Sequence, residues 1–102
     1  MKDSESHSQR ETVVFKLFVA GGETHSRTAL ENLRVICDAY LPGCHEIEVV
    51  DVLEYANMAL ECKIFVTPAL IKLSPGIQCT IYGNLSEKEK VIQALGLSGA
   101  NS

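Results

Sequence analysis

Four cysteines carry the most reactive side chains of this 102-residue sequence, and their spacing limits the chemistry that they can support. They are Cys37, Cys44, Cys62 and Cys79. No two of them form the C-x-x-C pair that marks a redox site or half of a structural zinc site. Cys44 and His45 are neighbours, but no second closely spaced pair of ligands accompanies them. The spacing therefore predicts free thiols that pack as small apolar side chains.

Signatures of other enzymes are also missing. The sequence contains no glycine-rich dinucleotide loop, no Walker loop and no H-E-x-x-H helix. Asp51 and Glu54 are close in sequence, but acidic residues at the end of a strand are usually solvated or cap a helix. Catalytic sites show a constellation of groups rather than lone residues. The sequence therefore predicts a protein that binds another protein, without catalysis, cofactor or metal.

The composition is that of one small globular domain, with 46% hydrophobic and 22% charged residues. A net charge of −4 and scattered basic residues argue against nucleic-acid binding. No stretch of 18 apolar residues could span a membrane, and the first residues lack the apolar core of a signal peptide. We expect a cytoplasmic α/β domain at 13–97, a flexible tail at 1–12 and a short tail at 98–102.

Hydrophobic patterning in the first half predicts two strands around one helix. The continuous apolar run at 13–20 is typical of a strand buried on both faces. Apolar residues at three- and four-residue spacing predict an amphipathic helix over 26–41, with Ser26 as its N-cap. A second strand is predicted at 46–52, which makes a βαβ unit with parallel strands. The side chains predicted to point inward from this strand are Ile47, Val49 and Val50.

The second half predicts a short helix, a hairpin and a last helix. Helix formers fill 54–63, and strand patterns at 69–73 and 77–82 surround a turn, with Ile77, Cys79 and Ile81 expected on one face. Pro68 must be an edge residue or the entry residue of the hairpin, because proline cannot donate to a sheet, and its cis or trans state stays open. Ser86 to Glu89 predict a capping box for the last helix. The order β-α-β-α-β-β-α is the thioredoxin-like layout.

A thioredoxin-like enzyme needs a cysteine at the start of the first helix, where the helix N-terminus lowers the thiol pKa. Residues 21–26 of this chain, GGETHS, contain none. Ser26 beside His25 lacks a third group to orient a nucleophile. Cys37 lies deep in the predicted helix, where we expect it to be inert. A thiol oxidoreductase is therefore the less favoured alternative.

Several strings occur in a familiar order along the chain. They are VFKLFVAG at 14–21, SRTAL at 26–30, VVDVL at 49–53, KIFVTPAL at 63–70 and GNLS at 83–86. Together they resemble the KaiB family of circadian-clock proteins, over about residues 13–97. The same module resembles the sensor domain of the clock-linked histidine kinase SasA, although no kinase domain follows here.

The resemblance implies a regulator that binds a KaiC-type ATPase, in a circadian clock or in a clock-derived stress-response system. A sensor partner of a histidine kinase is the alternative. The family also implies a resting homo-oligomer, a dimer or tetramer, in which the C-terminal half takes an alternative KaiB-type packing. Thioredoxin-like packing is then the partner-binding state.

The resemblance also assigns residues. Those implied to bind the partner are Lys63, Leu53, Asn57, Met58 and Glu61. Those implied in the structural switch are Pro68, Gly83, Ala94 and Gly96. Departures from the family pattern are Asn84, where clock members often have Asp, and Ala94 and Gly96, which replace Gly and Asp. We expect Gly96 to weaken the last helix, and Ala94 to favour it.

Overall fold

Seven elements follow one another in the predicted order, β-α-β-α-β-β-α. The computed structural model describes residues 11–97, so the predicted tails, apart from Glu11 and Thr12, lie outside the described residues. The elements are β1 (Val13–Val19), α1 (Thr24–Tyr40), β2 (His45–Asp51), α2 (Ala56–Glu61), β3 (Ala69–Ser74), β4 (Cys79–Tyr82) and α3 (Lys88–Ala94). None of the helices within 11–97 is long and apolar enough to cross a membrane.

The four strands form one sheet in the order β2-β1-β3-β4. Strands β1 and β2 are parallel, as predicted, and Val19 lies opposite Asp51 at their ends. Strand β3 pairs antiparallel with both β1 and β4. Because parallel strands end at the same edge of a sheet, the β1–α1 loop and the β2–α2 turn lie side by side.

Strand β1 contributes to two apolar cores, one on each face of the sheet. Phe15 and Leu17 pack with residues of α1 and α3. Phe18 points the other way and packs with residues around α2, among them Val50 and Ile64. All three β1 side chains are fully buried. Burial on both faces explains why the strand is an almost continuous apolar run, broken only by the half-buried Lys16, instead of an alternating one.

The start of α1 differs from the prediction. The N-cap is Glu23, whose carboxylate accepts the N–H groups of His25 (3.1 Å) and Ser26 (3.0 Å). Ser26 lies inside the helix and is only 1% exposed. The prediction of Ser26 as N-cap is therefore wrong: the helix begins earlier, at Thr24, and the Glu23 side chain caps it there. The bond from His25 and those from Ser26 lower the pKa of Glu23, against a smaller opposing effect of desolvation.

Two apolar side chains predicted to point inward are exposed instead. Ile47 packs against the core and Val50 is buried, but Val49 is 44% exposed. Strand β2 is at one edge of the sheet, so the face of it that carries Val49 is only partly covered. Ile77 precedes β4 and is 88% exposed, whereas Cys79 and Ile81 pack on the core as predicted. In both cases the alternation of side chains predicts which side of the chain faces the core, but not how completely that side is buried.

Pro68 starts the hairpin, as predicted. It directly precedes β3, its carbonyl oxygen accepts the N–H of Gly83 at 3.0 Å, and the Thr67–Pro68 peptide is cis. The predicted capping box at Ser86 is wrong. Helix α3 has Glu87 at its N-cap without a side-chain bond, and the Ser86 N–H donates to Asn84 Oδ1 at 3.0 Å. Asparagine forms such local turns readily, and this one competes with the cap.

Gly96 ends α3 and does not interrupt it, which corrects the expectation that it weakens the helix. The helix stops at Ala94, and Gly96 follows with a φ of 77°. The Gly96 N–H donates to Gln93 O and the Leu97 N–H to Ile92 O. These two bonds form a Schellman motif, in which glycine is favoured because it adopts positive φ without strain.

We predict that Gly96→Ala lowers the free energy of unfolding by about 1 kcal/mol, since alanine is strained at this φ. A Cβ at this position would meet nothing within 4 Å, so the cost comes from the backbone alone. Urea denaturation measures the change. Gly22→Ala is the matched control, because Gly22 has open space around it and no positive φ. Equal stability of the two variants would show that the left-handed turn does not persist in solution.

Candidate functional site

The β1–α1 loop, where a thioredoxin-like enzyme carries its thiol, is closed by its own hydrogen bonds. Ser26 Oγ accepts the Ala20 N–H at 3.1 Å and donates to Glu23 Oε1 at 3.1 Å. Glu23 also accepts two backbone N–H groups, as described above. The Ser26 hydroxyl is thus buried, and both its accepting and its donating bond hold the loop. The loop is built as a structural connection.

The cysteines lie elsewhere. Cys37 is buried in α1, and burial, with a smaller contribution from the Asp38 charge, raises its thiol pKa to about 12. A thiol with this pKa stays protonated at neutral pH and is a poor nucleophile. Cys44, Cys62 and Cys79 are half-buried free thiols. Within residues 11–97, no three His, Cys, Asp or Glu side chains come together as metal ligands would.

Exposed apolar side chains are concentrated in one segment, from the end of β2 to the start of β3. We call this segment, residues 53–66, the docking surface. Five of its large apolar side chains are between 54% and 75% exposed: Leu53, Tyr55, Leu60, Phe65 and Val66. Isolated exposed apolar residues are common, but a concentration of this kind is typical of a surface that binds another protein.

The docking surface contains the five residues that the sequence assigned to partner binding. Leu53, Asn57, Glu61 and Lys63 are exposed, whereas Met58 is half-buried and packs against the core beneath α2. A shallow depression of about 450 Å³ is lined by Tyr55, Asn57, Met58 and their neighbours Glu54, Ala56 and Glu61. Three of the five assigned residues, Asn57, Met58 and Glu61, line this depression together, and Leu53 and Lys63 do not.

Sequence reasoning missed the other apolar members of this surface. The spacing of 54–63 leaves open whether Leu60 packs inward or is partly exposed and gives no face for Tyr55, and Phe65 and Val66 fit a strand pattern. The usable signal was the position of Pro68, which restricts the strand to the residues that follow it. Apolar residues before that point then lack a sheet to pack in.

Lys63 has an unusual backbone conformation, with a φ of 59°. Its N–H donates to Leu60 O at 3.0 Å, and the Ile64 N–H donates to Ala59 O at 2.8 Å. These are the two bonds of a Schellman motif that ends α2, with lysine where glycine is usual. Ile64 and Ala59 are both buried in the core beneath α2, which fixes the turn. The Schellman motif uses only backbone groups at position 63, so the exposed Lys63 side chain is available to contact another molecule.

The residues assigned to the switch lie at two places, Pro68 and Gly83 on either side of the β3–β4 hairpin and Ala94 and Gly96 at the C-terminal end of α3. Pro68 and Gly83 are joined by the bond described above, and Gly83 has a φ of 106°. Ala94 is the last residue of α3 and is exposed, and Gly96 follows two positions later. Asn32 Nδ2 in α1 donates to Asn84 O at 2.8 Å and ties the β4–α3 connection to the first half of the chain.

Solved structures similar to this one share its fold. The N-terminal domain of SasA from Synechococcus elongatus has a TM-score of 0.71 at 20% identity, covering 93% of each chain. Mitochondrial thioredoxin 3 from Saccharomyces cerevisiae has a TM-score of 0.65 at 20% identity, covering 84% of this chain and 81% of its own. The fold is therefore thioredoxin-like, as predicted.

Sequence comparison identifies the family. The circadian clock oscillator protein KaiB of Prochlorococcus marinus (strain NATL2A) is 41% identical over 88 residues, which cover 86% of this chain and 82% of that protein. The protein of the same name from Synechococcus sp. (strain RCC307) is 40% identical over 90 residues, covering 88% and 82%. The family model described as the KaiB domain matches residues 16–97. The chain therefore belongs to the KaiB family.

Proposed function

We propose that this chain is a non-enzymatic regulator that binds a KaiC-type ATPase through the docking surface, in a circadian clock or a clock-derived stress-response system of the cytoplasm. The observation that carries the proposal is the coincidence of two independent features. The segment that holds the residues matched to family binding positions, among them Lys63, is also the segment with the exposed apolar side chains. The proposed KaiB-like unit is the domain at 13–97.

Burial of the docking surface would supply the binding free energy. Of the α2 residues, Ala59 alone is buried, so most of this short helix faces outward. Leu60, Phe65 and Val66 expose apolar area whose removal from water stabilises a complex by about 25 cal/mol for each Å². Neighbouring charges, Glu61 and Lys63, lie among these side chains and would set the orientation of the partner.

Lys63 is proposed to pair with an acidic group of the partner. Within residues 11–97 it has no ion-pair partner, and its side chain is exposed. Charges at the edge of an interface act mainly on the association rate and on salt dependence. Its proposed contribution is therefore electrostatic, whereas the apolar side chains contribute the larger share of the affinity.

The similarity to the SasA domain supports the alternative, a sensor partner of a histidine kinase. That similarity, at 20% identity, concerns the fold, and one fold hosts many functions. A pull-down from the same cell with a KaiC-type ATPase and with a histidine kinase as separate baits distinguishes the two. Capture by the kinase alone would favour the alternative.

We also propose that the thioredoxin-like packing is one of two states, and that a homo-oligomer, a dimer or tetramer, is the resting one. The second half of the chain supports this, because its elements are short: six residues in α2, four in β4 and seven in α3. Lys63 and Leu85 there adopt positive φ without being glycine. Each such residue costs about 1 kcal/mol or more, which reduces the free-energy difference between this packing and a competing one.

We predict that Lys63→Glu weakens binding of the ATPase about fivefold to tenfold and that the effect shrinks at high salt. Titration at two salt concentrations measures it. Lys63→Gly is the matched control for folding: glycine relieves the positive φ, so stability is retained or rises by up to about 1 kcal/mol, while the charge is lost. If both variants bind as the wild type does, Lys63 is not part of the interface.

We predict that the protein does not reduce disulfides catalytically, because Cys37 is protonated and the β1–α1 loop has no thiol. Insulin reduction, with a thioredoxin as positive control, tests this. Changing all four cysteines to serine lowers stability by about 1–3 kcal/mol, mainly through a buried hydroxyl at position 37. The variant that still folds should bind the partner normally. Turnover by the wild type would contradict the proposal of a non-enzymatic regulator.

We predict that residues 53–97 exchange between two packings while β1, α1 and β2 stay unchanged. NMR spectra of the free protein over a range of concentrations should show a second set of peaks confined to the second half, with intensities that shift as oligomers dissociate. A single set of peaks with uniform amide protection, unaffected by dilution or by added ATPase, would show that this member does not switch.

A further inference from the structure

Asp51, the last residue of β2, accepts hydrogen bonds from four backbone N–H groups. Its Oδ1 atom accepts from Gly21 at 3.0 Å and from Leu53 at 2.9 Å. Its carbonyl oxygen accepts from Glu54 at 3.0 Å and from Tyr55 at 2.9 Å. The carboxylate therefore joins the β1–α1 loop to the turn that follows β2, and the same residue closes that turn.

This turn carries two apolar members of the docking surface that packing does not hold. Leu53 is 73% exposed and Tyr55 is 54% exposed. A side chain with so few neighbours takes its position from its backbone, and here the backbone is held by Asp51. Gly21 adds a second constraint: it has a φ of 57°, and a Cβ on it would lie 3.2 Å from Leu53 Cδ1. Gly21 and Leu53 are thus close enough that a side chain at position 21 would press on Leu53.

We propose that Asp51 is a positioning residue for the docking surface, which holds Leu53 and Tyr55 ready for the partner before binding. The inference rests on the proposed function, since it concerns affinity for the KaiC-type ATPase. A surface that is ordered in advance loses less conformational freedom on binding. For two side chains, the loss of this order corresponds to about a tenfold decrease in affinity.

The test compares Asp51→Ala with Asp51→Asn. Both substitutions remove the charge, but the asparagine side-chain oxygen still accepts the Gly21 and Leu53 N–H groups, whereas alanine accepts neither. We expect Asp51→Ala to bind the ATPase about tenfold more weakly and Asp51→Asn to bind within about threefold of the wild type. In the free protein, hydrogen exchange at the Leu53 amide should accelerate in Asp51→Ala more than in Asp51→Asn.

Ile36→Val provides a control for general destabilisation, because it truncates a buried α1 side chain far along the sequence from the docking surface. It should bind as the wild type does. Equal weakening in Ile36→Val and Asp51→Ala, equal weakening in both Asp51 variants, or unchanged affinity in Asp51→Ala would each overturn the inference. Wild-type protein and Lys63→Glu belong in the same titration. If the wild type does not bind the ATPase, the proposed function fails and the inference fails with it. If the wild type binds and Asp51→Ala binds equally well, the inference alone is rejected.

Discussion

Strand β1 is bonded to a neighbouring strand on each edge and buried on each face, and the rest of the structure depends on this double constraint. Its parallel pairing with β2 brings the ends of the two strands together at Val19 and Asp51. Its antiparallel pairing with β3 holds the hairpin that α3 covers. Both cores contain its side chains, Phe15 and Leu17 in one and Phe18 in the other. A polar substitution at one of these three positions would therefore disturb one core or the other, according to the face on which the residue lies.

Elements that are defined by burial could be predicted from the sequence, because buried apolar residues recur along it in runs or at the period of a helix. The apolar run of β1 and the stripe of α1 gave the βαβ unit, and Pro68 gave the start of the hairpin. The caps could not be predicted in the same way. Ser26 and Ser86 fit the N-cap preference, but α1 begins earlier with Glu23 as its cap, and Asn84 accepts the Ser86 N–H; only the three-dimensional arrangement decides this.

Part of the proposed docking surface was singled out from the sequence, through family resemblance at positions such as Lys63 and Leu53. Its apolar side chains at Phe65 and Val66 were not, since an exposed apolar residue and a buried one look alike in a sequence. The left-handed conformation of Lys63 was equally hidden, because the rule that glycine marks such a turn fails where lysine takes that place. Sites of this kind depart from local preference, which is why pattern rules miss them.

The β1–α1 loop and the docking surface are parts of one connected region. Ser26 and Glu23 bind the loop from within, and Asp51 binds it to the turn that presents Leu53. In a redox enzyme of this fold the equivalent loop has to leave a thiol accessible, whereas here its polar groups are used to hold backbone. Rigidity at this edge of the sheet takes the place of reactivity.

Gly21 shows how firmly the two roles exclude each other. Any side chain at this position, a cysteine included, would have to adopt a φ of 57° and press on Leu53 Cδ1. A redesign that returned a thiol to this fold at position 21 would displace the apolar side chain beside it. Gly22, which has open space around it, could accept a cysteine without that displacement. Of the two glycines of this loop, Gly22 is therefore the one at which a new side chain would meet no neighbour.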